Sequence, residues 1–213
     1  LTGCITVQIP EDAATTTIVH DVSDDITELR LDTSGDVTVE LGEPSLTVIT
    51  TKKMHELLTI AEDDTTLVLD QRPMFGLRPH VEYVLTVRSL DAVHVDGSGH
   101  VTADFSHTAQ PRLTLDGSGQ IVAQGLDAQA LTIELDGSGS IRLDGTVDTA
   151  TFSLDGSGSI TARGLAVRAG TLSLGGSGSI DANVTGEVDA HLEGSGSMRI
   201  EGGARVISRE VEG

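Results

Sequence analysis

The sequence predicts an all-β fold, a single-stranded parallel β-helix with rungs of about 20 residues. Three observations predict this fold. The first two are regularly spaced Gly-Ser-Gly triplets and apolar columns in register with them. The third is a composition of 25 Gly, no Trp, three Phe and one Tyr in 213 residues. At 38%, the apolar content is too high for a disordered chain, so a core poor in aromatic residues must be filled regularly by Leu, Ile and Val.

The Gly-Ser-Gly triplet occurs six times between residues 97 and 196, at intervals of 20, 20, 19, 20 and 18 residues. Twenty residues of extended chain cover about 66 Å, a plausible circumference for one coil of a β-helix. Glycine suits stacked bends because it accepts positive φ and close approach of the next rung. The alternative, a flexible Gly/Ser linker, does not carry apolar columns in register.

Apolar columns flank every triplet and alternate with polar residues. This period of two is typical of strands with one buried face. The column two residues before the triplets consists of Val95, Leu115, Leu135, Leu154, Leu174 and Leu192. The column four residues before them consists of Val93, Leu113, Ile133, Phe152, Leu172 and Ala190. The alternation resumes after each triplet. The second residue after the triplets is again apolar: Val101, Ile121, Ile141, Ile160, Ile180 and Met198.

The first ninety residues carry the repeat in altered form, with Thr33 in place of the first glycine and Gly35 as the last. Gly35 and Gly99 lie 64 residues apart, which predicts about three irregular rungs between them and about ten rungs in all. We expect a tether and first strand over residues 1–22. One β-helix follows, with irregular rungs at 23–90, regular rungs at 91–200 and a C-terminal cap at 201–213. Strand candidates in the irregular part are Leu46–Thr50, Thr66–Leu69 and Val81–Val87.

Residues Gln71–His80 interrupt the strand pattern with two prolines and the bulky apolar residues Met74, Phe75 and Leu77. This composition predicts a loop that protrudes between rungs and could make a specific contact. The alternative is a cap folded over the N-terminal rungs, because an open solenoid end exposes an edge strand.

The net charge of −20 argues against a nucleic-acid partner, since phosphate binding requires a basic face. No segment approaches the ~20 apolar residues of a membrane span. A single cysteine excludes a disulfide framework and any site with several cysteine ligands.

A column of carboxylates precedes most triplets, at Asp96, Asp116, Asp136 and Asp155. Stacked rungs would place these side chains about 5 Å apart on the outer surface, where they could bind Ca²⁺ through oxygen ligands. The alternative is that they are solvated turn residues, since Asp bonds readily to nearby backbone. On this alternative the protein has no metal site.

Histidines cluster at His94, His100 and His107, close to Asp96. Three ligands could converge there, but no HExxH or CxxC spacing supports a metal centre, and surface histidines explain the pattern equally. The triplets form neither G-x-S-x-G nor G-x-G-x-x-G, so no nucleophile or phosphate loop is indicated. We therefore predict neither catalytic residues nor a cofactor.

The N-terminal residues Leu1-Thr2-Gly3-Cys4 have the form of a bacterial lipobox. In that motif the cysteine receives a lipid after the signal peptide is cleaved. The motif predicts a membrane partner, through a lipid anchor at Cys4, and a location outside the cytoplasm. An incidental strand start is the alternative.

The sequence resembles the GIN-domain family, the head domain of autotransporter adhesins. The resemblance rests on ITELRLDTSGDVTVELG, LDAVHVDGSGHV and the tandem LDGSGSI copies, over about residues 20–205. It implies a right-handed parallel β-helix in a bacterial cell-envelope protein, often a lipoprotein, and it brings no catalytic motif.

These patterns together predict a non-enzymatic, acidic scaffold or adhesin-like module at the cell surface, with a glycan or another envelope component as ligand. One alternative is a polysaccharide-active β-helix enzyme, which requires clustered carboxylates and basic residues in a groove. Another is an envelope protein that self-assembles by end-to-end stacking of rungs. The sequence does not indicate an oligomeric state.

Overall fold

The computed structural model describes residues 14–72 and 80–212, and strands account for 73% of the chain against 2% for helix. None of the helices among these residues is long and apolar enough to cross a membrane. The first strands are β1 Thr15–His20, β2 Glu28–Leu31, β3 Asp36–Leu41, β4 Ser45–Thr51, β5 Leu58–Asp63, β6 Thr66–Gln71, β7 Glu82–Val87 and β8 Ala92–Gly97. The remaining strands are β9 His100–Asp104, β10 Arg112–Gly117, β11 Gln120–Gly137, β12 Ser140–Gly156, β13 Ser159–Gly176, β14 Ser179–Gly194, β15 Ser197–Glu201 and β16 Arg205–Glu212. A short helix, α1 Lys52–His55, lies between β4 and β5.

The strands form the predicted solenoid of parallel rungs. Strands β11 to β14 have 16 to 18 residues each, and each pairs in parallel with the strand one repeat later. The register matches the sequence repeat, because Leu115 pairs with Leu135 and Leu135 with Leu154. The solenoid has about six turns and not the ten expected from the sequence.

The core is a stack of small apolar columns, as the alternation predicted. Every second residue of a rung points inward, and the aligned residues of successive rungs pack on one another. Phe152 is fully buried in a column of aliphatic residues, between Ile133 and Leu172. Regular stacking therefore replaces the aromatic residues that fill most protein cores.

The rungs do not stack in chain order at the N-terminal end, which corrects the expected three rungs between Gly35 and Gly99. Strand β3 pairs directly with β9, and Asp36 lies opposite His100. Strand β2 likewise pairs with β8. The residues between form β6 and β7, which stack on the other side of β2 and β3. The 64 residues between Gly35 and Gly99 therefore do not form three successive rungs between β3 and β9.

Antiparallel strands close this end of the solenoid. Strand β4 pairs antiparallel with β7, β1 with β4, and β5 with β6. The three strand candidates at 46–50, 66–69 and 81–87 are all strands, but β4 is a capping strand and not a parallel rung. Met54 of α1 is buried beneath this cap. At the opposite end, the residues expected as a C-terminal cap contain β16, which extends the stack by pairing with β14.

The two glycines of each triplet are both required by the stacked bends. The first adopts a left-handed conformation, with φ of +117° at Gly137, and an added Cβ there would lie 2.6 Å from the carbonyl oxygen of Gly117. The second, Gly139, has no room for a side chain, because an added Cβ would lie 2.7 Å from the carbonyl oxygen of Gly119. The same Cβ would lie 2.6 Å from Leu115 Cδ2. Both requirements recur at every rung, which explains why the glycine content is high.

Candidate functional site

A polar groove runs along the solenoid where the Gly-Ser-Gly bends stack. We call it the serine groove; its volume is about 420 Å³. The middle serines of the triplets and the serines that follow the triplets line it in two columns. Its lining residues are His100, Ser118, Gln120, Ser138, Ser140, Ser157, Ser159, Ser177, Ser179, Ser195 and Ser197, together with the second glycine of each triplet from Gly119 to Gly196.

Backbone hydrogen bonds hold the bends in place and leave the hydroxyls at the surface. The amide of Ser138 donates to the carbonyl of Gly117 at 2.8 Å, and the amide of Ser140 donates to that of Gly119 at 3.0 Å. The middle serines are exposed. None of the side-chain hydrogen bonds seen between described residues involves a groove serine hydroxyl. The groove is therefore a repeating array of donors and acceptors about 4.8 Å apart.

The predicted aspartate column runs beside the serine groove. Asp96, Asp116, Asp136 and Asp155 are paired in register on successive rungs. Glycine replaces the carboxylate on the next rung, where Gly175 pairs with Asp155. The four aspartates therefore occupy the same position on successive rungs, and Ca²⁺ binding there stays a prediction.

The structure adds Asp32 to this column. Its ligand atoms, those of His94 and those of Asp96 all lie within 4.8 Å of one another. Asp32 occupies the same position in the repeat as Asp96. The sequence does not show that the two are neighbours, because they are 64 residues apart and successive regular rungs are about 20 residues apart. His100 instead lines the serine groove, and His107 is exposed elsewhere.

An arginine competes with any cation for this cluster. Arg30 Nε donates to both carboxylate oxygens of Asp32, at 2.8 and 2.9 Å. This hydrogen bond, helped by the negative charge of Asp32, raises the pKa of Arg30. With one carboxylate already neutralised, the cluster offers fewer oxygen ligands than the six to eight that Ca²⁺ takes.

Tyr83 is a buried polar residue that the sequence did not single out. Its side chain is fully buried and its hydroxyl has no hydrogen-bond partner. The ring packs at Gly35, where an added Cβ would lie 2.8 Å from Tyr83 Cε2. Burial, with a smaller effect of Asp70, raises the pKa of the phenol well above its ordinary value. The residue therefore has a packing role beneath the first bend.

Two predicted sites lie outside the described residues. They are the lipidation site Cys4 and the contact loop with Met74, Phe75 and Leu77. Both stay predictions.

A family model described as "Putative auto-transporter adhesin, head GIN domain" matches residues 25–204. The chain belongs to the GIN-domain family. This match confirms the resemblance read from the triplets and their flanking columns. The family is one of adhesin-like proteins, and its description names no enzymatic activity. No curated protein matches the sequence.

Solved structures with the same fold come from Bacteroides and Parabacteroides species. A putative adhesin from Bacteroides fragilis is 21% identical, with a TM-score of 0.78 over 96% of this chain and 100% of that chain. A putative lipid binding protein from Parabacteroides distasonis is 23% identical, with a TM-score of 0.74 over 93% and 94%. A putative adhesin from Parabacteroides merdae is 20% identical, with a TM-score of 0.69 over 93% of each chain. At these identities the likeness shows the fold.

Proposed function

We propose that this GIN domain is a non-enzymatic, adhesin-like module of the bacterial cell envelope that binds neutral glycan chains along the serine groove. The observation that carries the proposal is the array of serine hydroxyls on successive rungs. A linear polysaccharide also presents hydroxyls at regular intervals, so a chain lying along the groove can repeat one set of contacts many times.

The chemistry of the groove favours hydroxyl-rich, uncharged ligands. Its lining consists of serine, glycine, Gln120 and His100. The aspartate ladder runs alongside, and the whole chain carries a charge of −20. Acidic polysaccharides are therefore repelled, while neutral ones are not.

Affinity for a glycan in the serine groove comes from many repeated hydroxyl contacts and not from a single strong one. Each hydroxyl hydrogen bond replaces one to water, so its net contribution is only about 0.5–1.5 kcal/mol. Binding should therefore strengthen with the length of the glycan, up to the length of the groove, and single sugars should bind weakly.

A glycan array with neutral and acidic polysaccharides tests the proposal. The probe variant is Ser138→Leu/Ser157→Leu/Ser177→Leu, which removes three exposed groove hydroxyls on consecutive rungs. The matched control is Ser153→Leu/Ser173→Leu, two serines paired on the outer face away from the groove. We expect the wild type and the control to bind long neutral glycans and the groove variant to lose most of that binding. Equal binding by all three proteins would contradict the proposal.

Turnover assays on the glycans that bind separate this function from the enzyme alternative. A polysaccharide-active enzyme should release shorter products, and an Asp136→Ala variant should abolish the release. The adhesin-like function predicts binding without any change in glycan length.

We further propose that a lipid on Cys4 attaches the protein to the membrane. The motif at residues 1–4 and the adhesin-like family support this proposal. Mass spectrometry of the protein extracted from native membranes tests it directly. A mass increase on the N-terminal peptide is expected, and an unmodified Cys4 would contradict the anchor.

A further inference from the structure

Three metal-ligating side chains converge beside the first bends of the solenoid, outside the serine groove. They are Asp32, which follows β2, and His94 and Asp96 of β8; we call them the Asp-His-Asp cluster. Their ligand atoms all lie within 4.8 Å of one another. Among the described residues, no other group of three His, Cys, Asp or Glu side chains approaches as closely.

Strand pairing brings the three side chains together. His94 and Asp96 are two residues apart on β8, so they lie on the same outward face. Strand β2 lies beside β8 in parallel register, with Leu31 opposite Val95. The residue after Leu31 is Asp32, which therefore lies opposite Asp96. Two rungs that are distant in the sequence thus supply the ligands from adjacent strands of one sheet.

The donor set of the Asp-His-Asp cluster favours a transition metal over calcium. Imidazole nitrogen is a typical ligand of Zn²⁺, whereas Ca²⁺ takes six to eight oxygen ligands. One nitrogen and two carboxylates are three protein ligands, the number found in zinc sites that keep a position for water. The cluster therefore matches an open zinc site.

The imidazole distinguishes this rung from the rest of the aspartate ladder. At the position of His94, the next three rungs carry Thr114, Glu134 and Ser153. The aspartates on those rungs have carboxylate neighbours in the ladder but no histidine beside them. A metal ion that prefers a nitrogen ligand should therefore bind at the rung of His94 and not along the whole ladder.

His191 lies in the same column near the other end of the regular rungs and serves as an internal comparison. Its Nδ1 is 3.1 Å from Glu210 Oε2. Within residues 14–72 and 80–212, this pair belongs to no group of three ligand atoms as close as those of the Asp-His-Asp cluster. A histidine beside one carboxylate is thus present at both places, and the convergence of three ligands only at the first.

Arg30 lowers the affinity of the cluster for a cation but leaves ligand positions free. Its Nε donates to both carboxylate oxygens of Asp32. Each carboxylate oxygen has two lone pairs, so Asp32 can bind a metal ion while it accepts from Arg30. A hollow of about 270 Å³, lined by Asp32, Gln71, Asp96 and Ser98 among others, opens beside the cluster. Water can therefore reach the remaining coordination position.

We propose that the Asp-His-Asp cluster binds one Zn²⁺ ion, with His94, Asp32 and Asp96 as protein ligands and water as the fourth. The ion connects β2 to β8, so it stabilises the folded chain by binding it in preference to the unfolded one. The net charge of −20 attracts the cation. The proposal is independent of glycan binding, because these ligands do not line the serine groove.

Isothermal titration calorimetry of the full chain with zinc chloride tests the site. All proteins carry Cys4→Ser, so that the thiol cannot bind the metal. We expect one Zn²⁺ per chain, and we expect His94→Gln and Asp32→Asn each to raise the dissociation constant at least about tenfold. The matched control His191→Gln should bind Zn²⁺ as the parent protein does.

Two further measurements locate the ion. Arg30→Gln removes a positive charge beside it and should tighten Zn²⁺ binding about tenfold. Excess Zn²⁺ should raise the urea midpoint of the parent protein and of His191→Gln, but not that of His94→Gln. The midpoints without metal also show whether each variant is folded.

Several outcomes would overturn the proposal. They are no Zn²⁺ binding by the parent protein at about 1 mM metal, and equal Zn²⁺ affinity of His94→Gln and the parent. An unchanged affinity in Arg30→Gln would place the ion away from Asp32. Displacement of Zn²⁺ by equimolar Ca²⁺ would show that oxygen ligands alone determine binding.

Discussion

The second glycine of each triplet is required by close packing alone, because its backbone is not left-handed. An alanine Cβ at Gly139 would lie against the Gly119 carbonyl and the Leu115 side chain on the preceding rung. We expect Gly139→Ala to lower the free energy of unfolding by about 1–3 kcal/mol, because overpacking forces backbone shifts. Urea denaturation followed by circular dichroism measures the change.

A control substitution at Gly175, the residue before the triplet at 176–178, separates this steric effect from the general effect of replacing glycine with alanine. At Gly175 an added Cβ would meet a flexible side chain, Asp155 Oδ1 at 3.2 Å, and the backbone is not left-handed. Gly175→Ala should therefore leave stability within about 0.5 kcal/mol of the wild type. Equal destabilisation by both substitutions would show that the close approach at Gly139 is unimportant.

Tyr83 gives a prediction about pH. Its hydroxyl is buried without a partner, and burial raises its pKa above the ordinary value of 10.0. The folded protein therefore keeps the phenol protonated at pH values where the unfolded chain ionises. Stability is retained below pH 10 and falls as the pH rises above it.

Tyr83→Phe removes both the unpaired hydroxyl and the titration. We expect the variant to be more stable than the wild type by about 1 kcal/mol at neutral pH, since an unsatisfied buried donor is costly. The advantage should increase at pH 11 in thermal denaturation. A variant that is less stable than the wild type at both pH values would indicate that the hydroxyl has a partner.

At the scale of the elements, the core columns explain which residues a rung accepts. Phe152 occupies a position filled by Ile133 and Leu172 on the neighbouring rungs. We expect Phe152→Leu to cost less than about 1.5 kcal/mol, because the column already accommodates aliphatic side chains. Phe152→Ala should cost about 3–5 kcal/mol by leaving a cavity. The urea midpoints of the two variants test this order, and a reversed order would contradict columnar packing.

The repeat also determined which elements were predictable. Rungs from β8 to β15 follow from local patterns, because each strand pairs with the copy about 20 residues away. The pairing of β3 with β9 could not be predicted in this way, since alternation shows which face is buried and not which strand lies alongside. The same limit explains why β4 was expected as a rung, although it pairs antiparallel with β7.

The candidate functional residues also divide into those that the repeat predicted and those that it did not. The aspartate ladder followed from the repeat, and the structure aligns it in register. Asp32 was missed as a neighbour of Asp96 because chain order and stacking order differ at that rung. The serine groove was also missed as a site, since serines between glycines look like bend residues until their side chains are placed in two adjacent columns.

At the scale of the whole molecule, the solenoid combines a rigid rod with one repeated polar surface. Antiparallel strands at the N-terminal end and parallel rungs as far as β16 give the rod a direction. The net charge of −20 repels other polyanions from this surface. In the proposed function, this surface recognises a long, uncharged chain through many weak contacts.

Affinity electrophoresis in gels that contain a neutral polysaccharide, such as mannan, xylan or hydroxyethyl cellulose, tests this account most directly. We predict that at least one of these gels retards the wild type and Ser153→Leu/Ser173→Leu equally. Ser138→Leu/Ser157→Leu/Ser177→Leu should migrate there as it does in a gel without polysaccharide. No retardation of the wild type in any of them, or equal retardation of the groove variant, would contradict glycan binding by the serine groove.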